Sequence, residues 1–190
     1  HNYKVDYLRM CYPDKVVLGK RTSIKKLDSS INDDIQYKIK TIFRVKYKIN
    51  HEKRYIIYLP LGSERNTRRA KILELKIIED LIQYASRYGY YFILKIRSGT
   101  DSILYRKYTS DNVVIVEENI PAELIIYEIH NSYVISAYSS ACLFTVNKNN
   151  NYWIYPILKL KANLIPPAKE IKIIYSYDIL LKMIDTKNTV

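Results

Sequence analysis

From residue 54 onward, compact apolar runs alternate with segments whose apolar residues recur every three or four positions. The runs are RYIIYLPLG (54–62), YYFILKI (90–96), NVVIVEE (112–118), YVISAY (133–138) and NYWIYPILKL (151–160). They are short, rich in Ile, Val and Tyr, and bounded by turn-forming residues, which predicts five strands. Between the first two lies TRRAKILELKIIEDLIQYASRYG (67–89), where Ile72, Leu75, Ile78, Ile82 and Ala85 share one helical face. Gly89 supplies its C-terminal stop. PAELIIYEIHNS opens on Pro121, a residue suited to a first helical turn. DSILYRKYTS reads as a short helix, and AKEIKIIYSYDILLKMI (168–184) as a terminal amphipathic helix.

The pattern is weaker before residue 54. KVVLG (15–19) fits a short strand, and INDDIQYKIKTIFRV (31–45) has helical spacing through Ile31, Ile35, Ile39, Ile42 and Phe43. Ser30 or Asn32 would cap that helix. The chain therefore divides into a basic segment or remnant of a preceding domain (1–53) and an α/β domain (54–190). A start at His1, without an initiator Met, reads as a processed chain or a piece of a longer one.

Strand–helix alternation with short connections predicts a Rossmann-like parallel sheet with flanking helices. Strands buried on both faces read as continuous apolar runs, as these do. Ligands of such sheets bind beyond the carboxyl ends of the strands. That rule points to Leu61–Arg65, Lys95–Asp101, Glu117–Glu123 and Tyr138–Ala141.

A length of 190 residues with 48% hydrophobic composition is enough for a well-buried core. No apolar run reaches the roughly 20 residues that span a bilayer, and the start does not resemble a signal peptide. Cys11 and Cys142 fit neither a zinc pattern nor a disulfide framework, which suggests two thiols in a reducing, cytoplasmic setting. The net charge of +12 is uneven: residues 1–70 hold 17 Lys+Arg against 7 Asp+Glu. Such a basic third attracts nucleic acid, anionic lipid or an acidic polymer such as a glycan, or is simply a solvated surface, and charge alone does not choose among them.

At the strand ends, Ser139 and Ser140 either cap a following helical turn or hold an anion. Lys95 and Arg97 end the second strand and suit a phosphate or carboxylate. Glu117, Glu118 and Glu123 flank Pro121, and Glu123 is either a first-turn acid or a ribose acceptor. Glu64 follows the first strand as a candidate base or cap. His1, His51 and His130 lack metal-ligand spacing, and GxSxG, HExxH, GxxxxGK[ST] and GxGxxG are all missing. The aromatic residues form no RNP-type strand, so nucleic acid is not the expected partner.

Taken together, YIIYLPLGSE, YYFILKI and VVIVEENIPAELIIYEIHNSYVISAYSSACL resemble the C-terminal half of the bacterial sialyltransferases. The lipooligosaccharide sialyltransferases and capsular polysialyltransferases are the most similar members. The resemblance spans about residues 54–145 and is best over IPAELIIYEIHNSYVISAYSSA. It implies the nucleotide-binding half of a two-domain GT-B enzyme. The donor would be CMP-sialic acid, the acceptor a surface glycan, and no metal would be required. Ser139 and Ser140 would bind the CMP phosphate with Lys95 and Arg97, and Glu123 would lie near the ribose; Glu64 is the nearby candidate base, in GSERN where the family has an acidic pair followed by Gly. The sequence departs from the family at Arg97-Ser98, where the family has His-Pro. An arginine can neutralise phosphate, but with a pKa above about 12 it cannot act as a general acid near neutrality. Fifty-three leading residues are also too few for a GT-B N-terminal domain. The alternative is a non-catalytic basic α/β domain that binds a polyanion, either nucleic acid or an acidic glycan.

Overall fold

A computed structural model of the chain describes residues 7–10, 23–26, 37, 41, 45–50, 52–61, 68–96, 102–117, 120–129, 132–137, 139, 141–142, 150–160 and 170–185. For residues 7–10, 23–26 and 127 this covers the backbone alone. The chain forms two compact units, His1–Lys48 and Ile49–Val190. In the first unit, β1 (Tyr7–Met10) and β2 (Ser23–Lys26) pair in parallel, from Tyr7 opposite Ser23 to Met10 opposite Lys26. Neither strand is expected from the apolar pattern, and KVVLG lies outside the described residues. Tyr37, Thr41, Val45 and Lys46 are helical, in line with the expected spacing, and Thr41 Oγ1 donates to the Tyr37 carbonyl at 2.8 Å.

The second unit is built on six parallel strands: β3 (Tyr55–Leu59), β4 (Tyr91–Lys95), β5 (Val113–Val116), β6 (Tyr133–Ser136), β7 (Asn150–Trp153) and β8 (Ile171–Ile173). Their spatial order is β5-β4-β3-β6-β7-β8. Counted within the sheet, this is 3-2-1-4-5-6, the doubly wound order of the Rossmann fold. The chain steps outward from β3 to β5, then returns to place β6 on the other side of β3. The topological switch point therefore lies between the carboxyl ends of β3 and β6.

Helix α1 (Arg68–Arg87) connects β3 to β4, and the single turn α2 (Ile103–Arg106) follows β4. Helix α3 (Ala122–Glu128) leads into β6, and α4 (Tyr177–Asp185) follows β8. One core packs Ile56, Tyr58, Phe92, Leu94, Tyr133 and Ile135 of the sheet against Ile78, Leu81, Tyr105, Leu180 and Ile184. The alternate strand positions point to the opposite face. Pro121 is the N-cap of α3 rather than a residue of its first turn, and its carbonyl accepts from Leu124 N–H at 3.1 Å.

Two further expectations change. The buried face of α1 is Ala70, Glu74, Ile77, Ile78, Leu81, Tyr84 and Ala85, whereas Ile72 is exposed. The face rotates because an acid and a tyrosine occupy core positions, each with its polar atoms bonded. The segment 168–184 is not one helix. Ile171–Ile173 pair with Asn151–Trp153 as an outer strand, and Ser176 then starts α4 by accepting Ile179 N–H on Oγ at 3.3 Å.

Candidate functional site

The register places one row of residues along the carboxyl edge of the sheet. Val116 lies opposite Lys95, Leu59 opposite Ser136, Ser136 opposite Trp153 and Trp153 opposite Ile173. Continuing the β3–β4 register sets Leu59 opposite Lys95. All six positions share one face, because residues aligned across a sheet point to the same side. Lys95 and Ser136 thus bracket Leu59, two strand spacings or about 10 Å apart. This row spans the switch point.

Ser136 is buried, and its Oγ accepts the Ser139 N–H at 3.0 Å and lies 3.8 Å from Cys142 Sγ. Ser139 is half-buried and more heavily bonded. Its Oγ accepts the Ala141 N–H at 3.2 Å, and its carbonyl accepts both Cys142 N–H at 3.4 Å and Trp153 Nε1–H at 3.2 Å. So the hydroxyl does cap the short turn at 141–142. The N–H groups of Ser139, Ala141 and Cys142 all have acceptors within the protein. What Ser139 keeps for a ligand is its own hydroxyl proton, which none of these bonds uses.

Lys95 is buried at the end of β4, and Nζ donates to the Ile96 carbonyl. Burial pushes the pKa of its ammonium down. Glu123 is half-buried in the first turn of α3. Its charge is felt at Cys142, whose thiol is raised to about 11, mainly by burial. Ser136, Ser139 and Cys142 therefore share one neighbourhood, Glu123 lies within electrostatic range of Cys142, and Lys95 sits across β3. Glu117 does not join them, since its carboxylate pairs with Arg106 at 2.9 and 3.0 Å. Glu64, Arg97, Ser140, Glu118, His1, His51 and His130 lie outside the described residues.

Sequence reasoning missed three supports of this edge. Ser136 is a polar residue inside an apolar strand, and Trp153 is the only tryptophan. Glu74 is an acid four residues from buried Ala70 and four from buried Ile78, a core spacing on α1. Its carboxylate is fully buried and accepts the Leu61 N–H at 2.6 Å, Tyr58 Oη–H at 3.4 Å and Lys71 Nζ–H at 3.0 Å. Lys71 Nζ also bonds the hydroxyl of Tyr105. This network anchors the chain just past β3. With both oxygens engaged and the side chain fully buried, Glu74 is not placed to act as a base.

Among the described residues, no group of three or more His, Cys, Asp or Glu could hold a metal ion. Among them too, no helix is long and apolar enough to cross a membrane. A cavity of about 300 Å³ lies elsewhere, between α1 and α4, with Asp80, Tyr84, Arg87, Tyr88, Tyr177 and Asp185 in its lining. It borders the C-terminal end of α1 and reaches none of the strand-end residues. No protein-family model matches the sequence, and no curated protein matches it.

Proposed function

We propose that the Ile49–Val190 unit is the nucleotide-binding half of a sialyltransferase-like glycosyltransferase that takes CMP-sialic acid as donor for a surface glycan. The observation that carries this reading is the position of Ser139. It follows β6 at the switch point of a doubly wound sheet, where ligands of such sheets bind, and its hydroxyl proton is used by no bond among the described residues. Two features support it. Lys95 supplies a cation on the same edge, and Glu123, within electrostatic range of Cys142, offers a carboxylate for ribose hydroxyls. The choice of CMP over other nucleotides rests on the resemblance of IPAELIIYEIHNSYVISAYSSA to the bacterial sialyltransferases.

In the reaction, an acceptor hydroxyl oxygen forms a bond to the anomeric carbon as the bond to the CMP phosphate oxygen breaks. The hydroxyl proton passes to a base, for which Glu64 is the candidate. The leaving phosphate gathers negative charge, which Lys95 and Arg97 would offset and Ser139 and Ser140 would hydrogen-bond.

Calorimetric titration of the chain with CMP and UMP tests the reading. Saturable, CMP-preferring binding is expected, weakened about ten-fold or more in Ser139→Ala. A folded chain that binds neither nucleotide overturns it, and equal binding of UMP overturns the cytidine assignment.

One observation favours a second reading. The excess of 17 basic over 7 acidic residues in 1–70 suits a polyanion binder. Such binding would fall steeply with salt and ignore Ser139→Ala.

A further inference from the structure

We propose that the start of α1 and the adjacent turn α2 form a surface that docks on an anionic lipid bilayer. Arg68, Lys71, Ile72, Leu75 and Glu79 lie along one strip of α1, at the spacing of a single helical face. Turn α2 lies against that strip. Lys71 meets Tyr105 at one end, and Glu79 meets Lys107 at 3.0 Å and Tyr108 at 2.7 Å further along. Residues just before Tyr105 therefore fall beside the first turns of α1.

Those residues are Ile103 and Leu104, 73% and 43% exposed, and the neighbouring Ile72 is 59% exposed. Three large aliphatic side chains facing solvent in one locality call for an occupant. The charge around them says which. Among the described residues, Lys71 pairs with Glu74, Lys107 with Glu79 and Arg106 with Glu117, which leaves exposed Arg68, Arg69 and Lys76 against Asp80 as the local cationic surplus. Aliphatic side chains beside surplus cations match the boundary of an anionic bilayer, where the former enter the acyl region and the latter meet headgroups. A nucleic acid would instead draw on exposed aromatic rings for stacking. The surface lies at the carboxyl side of the sheet, because α1 begins there. The docked chain would present its switch-point edge towards the membrane. The docking itself requires no nucleotide, so its failure and that of the CMP reading are separate results.

The test is flotation of the full chain with phosphatidylcholine vesicles, and with vesicles carrying about one third phosphatidylglycerol. Binding to the anionic vesicles alone is expected. Ile103→Ser/Leu104→Ser should lower the bound fraction about ten-fold, and Arg68→Glu/Arg69→Glu should lower it comparably. All four side chains are exposed, so circular dichroism of both variants should match the parent. The proposal is overturned if the folded chain does not float. It is equally overturned if the Ile103→Ser/Leu104→Ser variant floats like the parent, which would leave the attraction to charge elsewhere. A dimer broken by that variant, without vesicle binding, would assign the surface to a second copy instead.

Discussion

The backbone N–H of Leu61 is bonded at 2.6 Å by the carboxylate of Glu74, a residue with no solvent exposure on the helix that follows. This bond fixes how the chain leaves β3, the first strand of the sheet and one side of its switch point. Replacing Glu74 by Ala strands a buried donor at Leu61 and leaves Lys71 without its carboxylate. A loss of about 2–4 kcal/mol in urea unfolding is expected. Glu74→Gln keeps an acceptor for Leu61 and should cost less. The pH dependence adds a check. Burial raises the pKa of Glu74 despite the opposing charge of Lys71. A carboxyl raised on folding contributes stability that is complete below its unfolded pKa and is lost as pH rises through its folded value. The stability of the parent relative to Glu74→Gln should therefore fall as pH rises across that window. A pH-independent difference would show that Glu74 does not titrate as described.

Cys142 has its thiol buried, and the pKa is pushed up to about 11 by that burial first and by the charge of Glu123 in small part. Thiolate is the reactive form, so access and ionisation both oppose modification. In the folded chain at pH 8, iodoacetamide should label Cys142 far more slowly than in urea, as read by peptide mass mapping. Labelling at equal rates in both would contradict the packing of Cys142 against Ser136.

The sheet was legible because its strands are buried on both faces and so read as unbroken apolar runs. Tyr55–Leu59 and Tyr91–Lys95 fall inside the runs that announce them. The outer strand Ile171–Ile173 was not legible, since IKII flows without a break into a helical pattern. Only its pairing with Asn151–Trp153 separates the two. The face of α1 was misread for a related reason. Periodicity counts apolar letters, whereas Glu74 and Tyr84 enter the core through hydrogen bonds that depend on distant partners, Leu61 and Asp185. At the candidate site, the serine following β6 was visible in the sequence. Its tie to Trp153 was not, because that bond needs the register of β6 against β7. The hydroxyl of Ser139 is at once a cap and a group with a proton to offer, two roles that spacing alone presents as rivals.

Two tyrosines near α4 should respond oppositely to loss of the hydroxyl. Tyr133 Oη donates to the Ile184 carbonyl at 3.2 Å in a buried setting, and Tyr133→Phe should cost about 1 kcal/mol. The hydroxyl of Tyr177 is buried with no hydrogen-bond partner among the described residues, so Tyr177→Phe removes a desolvated group and loses no bond. It should be neutral or stabilising by about 0.5–1 kcal/mol. Parallel urea melts decide the matter, and a clear loss in Tyr177→Phe would mean that its hydroxyl has a partner.

Lys95 sets stability against binding. Its ammonium sits buried at the end of β4, and burial lowers its pKa, which means that the folded state bears a penalty for keeping it charged. That penalty is complete at pH values below the depressed folded pKa. It is relieved as pH rises from there towards the unfolded value, where the folded chain sheds the proton first. Lys95→Met keeps similar bulk and removes the charge, so the variant should match or exceed the parent in unfolding free energy at neutral pH. Its advantage should shrink as pH rises through that window. For a phosphate-bearing ligand the order reverses. The same substitution removes a charge-assisted contact and should weaken CMP binding about ten-fold or more. Urea melts at neutral and alkaline pH, paired with CMP titration, measure both sides. A Met variant that is less stable at neutral pH would show that Lys95 supports the sheet edge in the unliganded chain, and undiminished CMP affinity would remove Lys95 from the site.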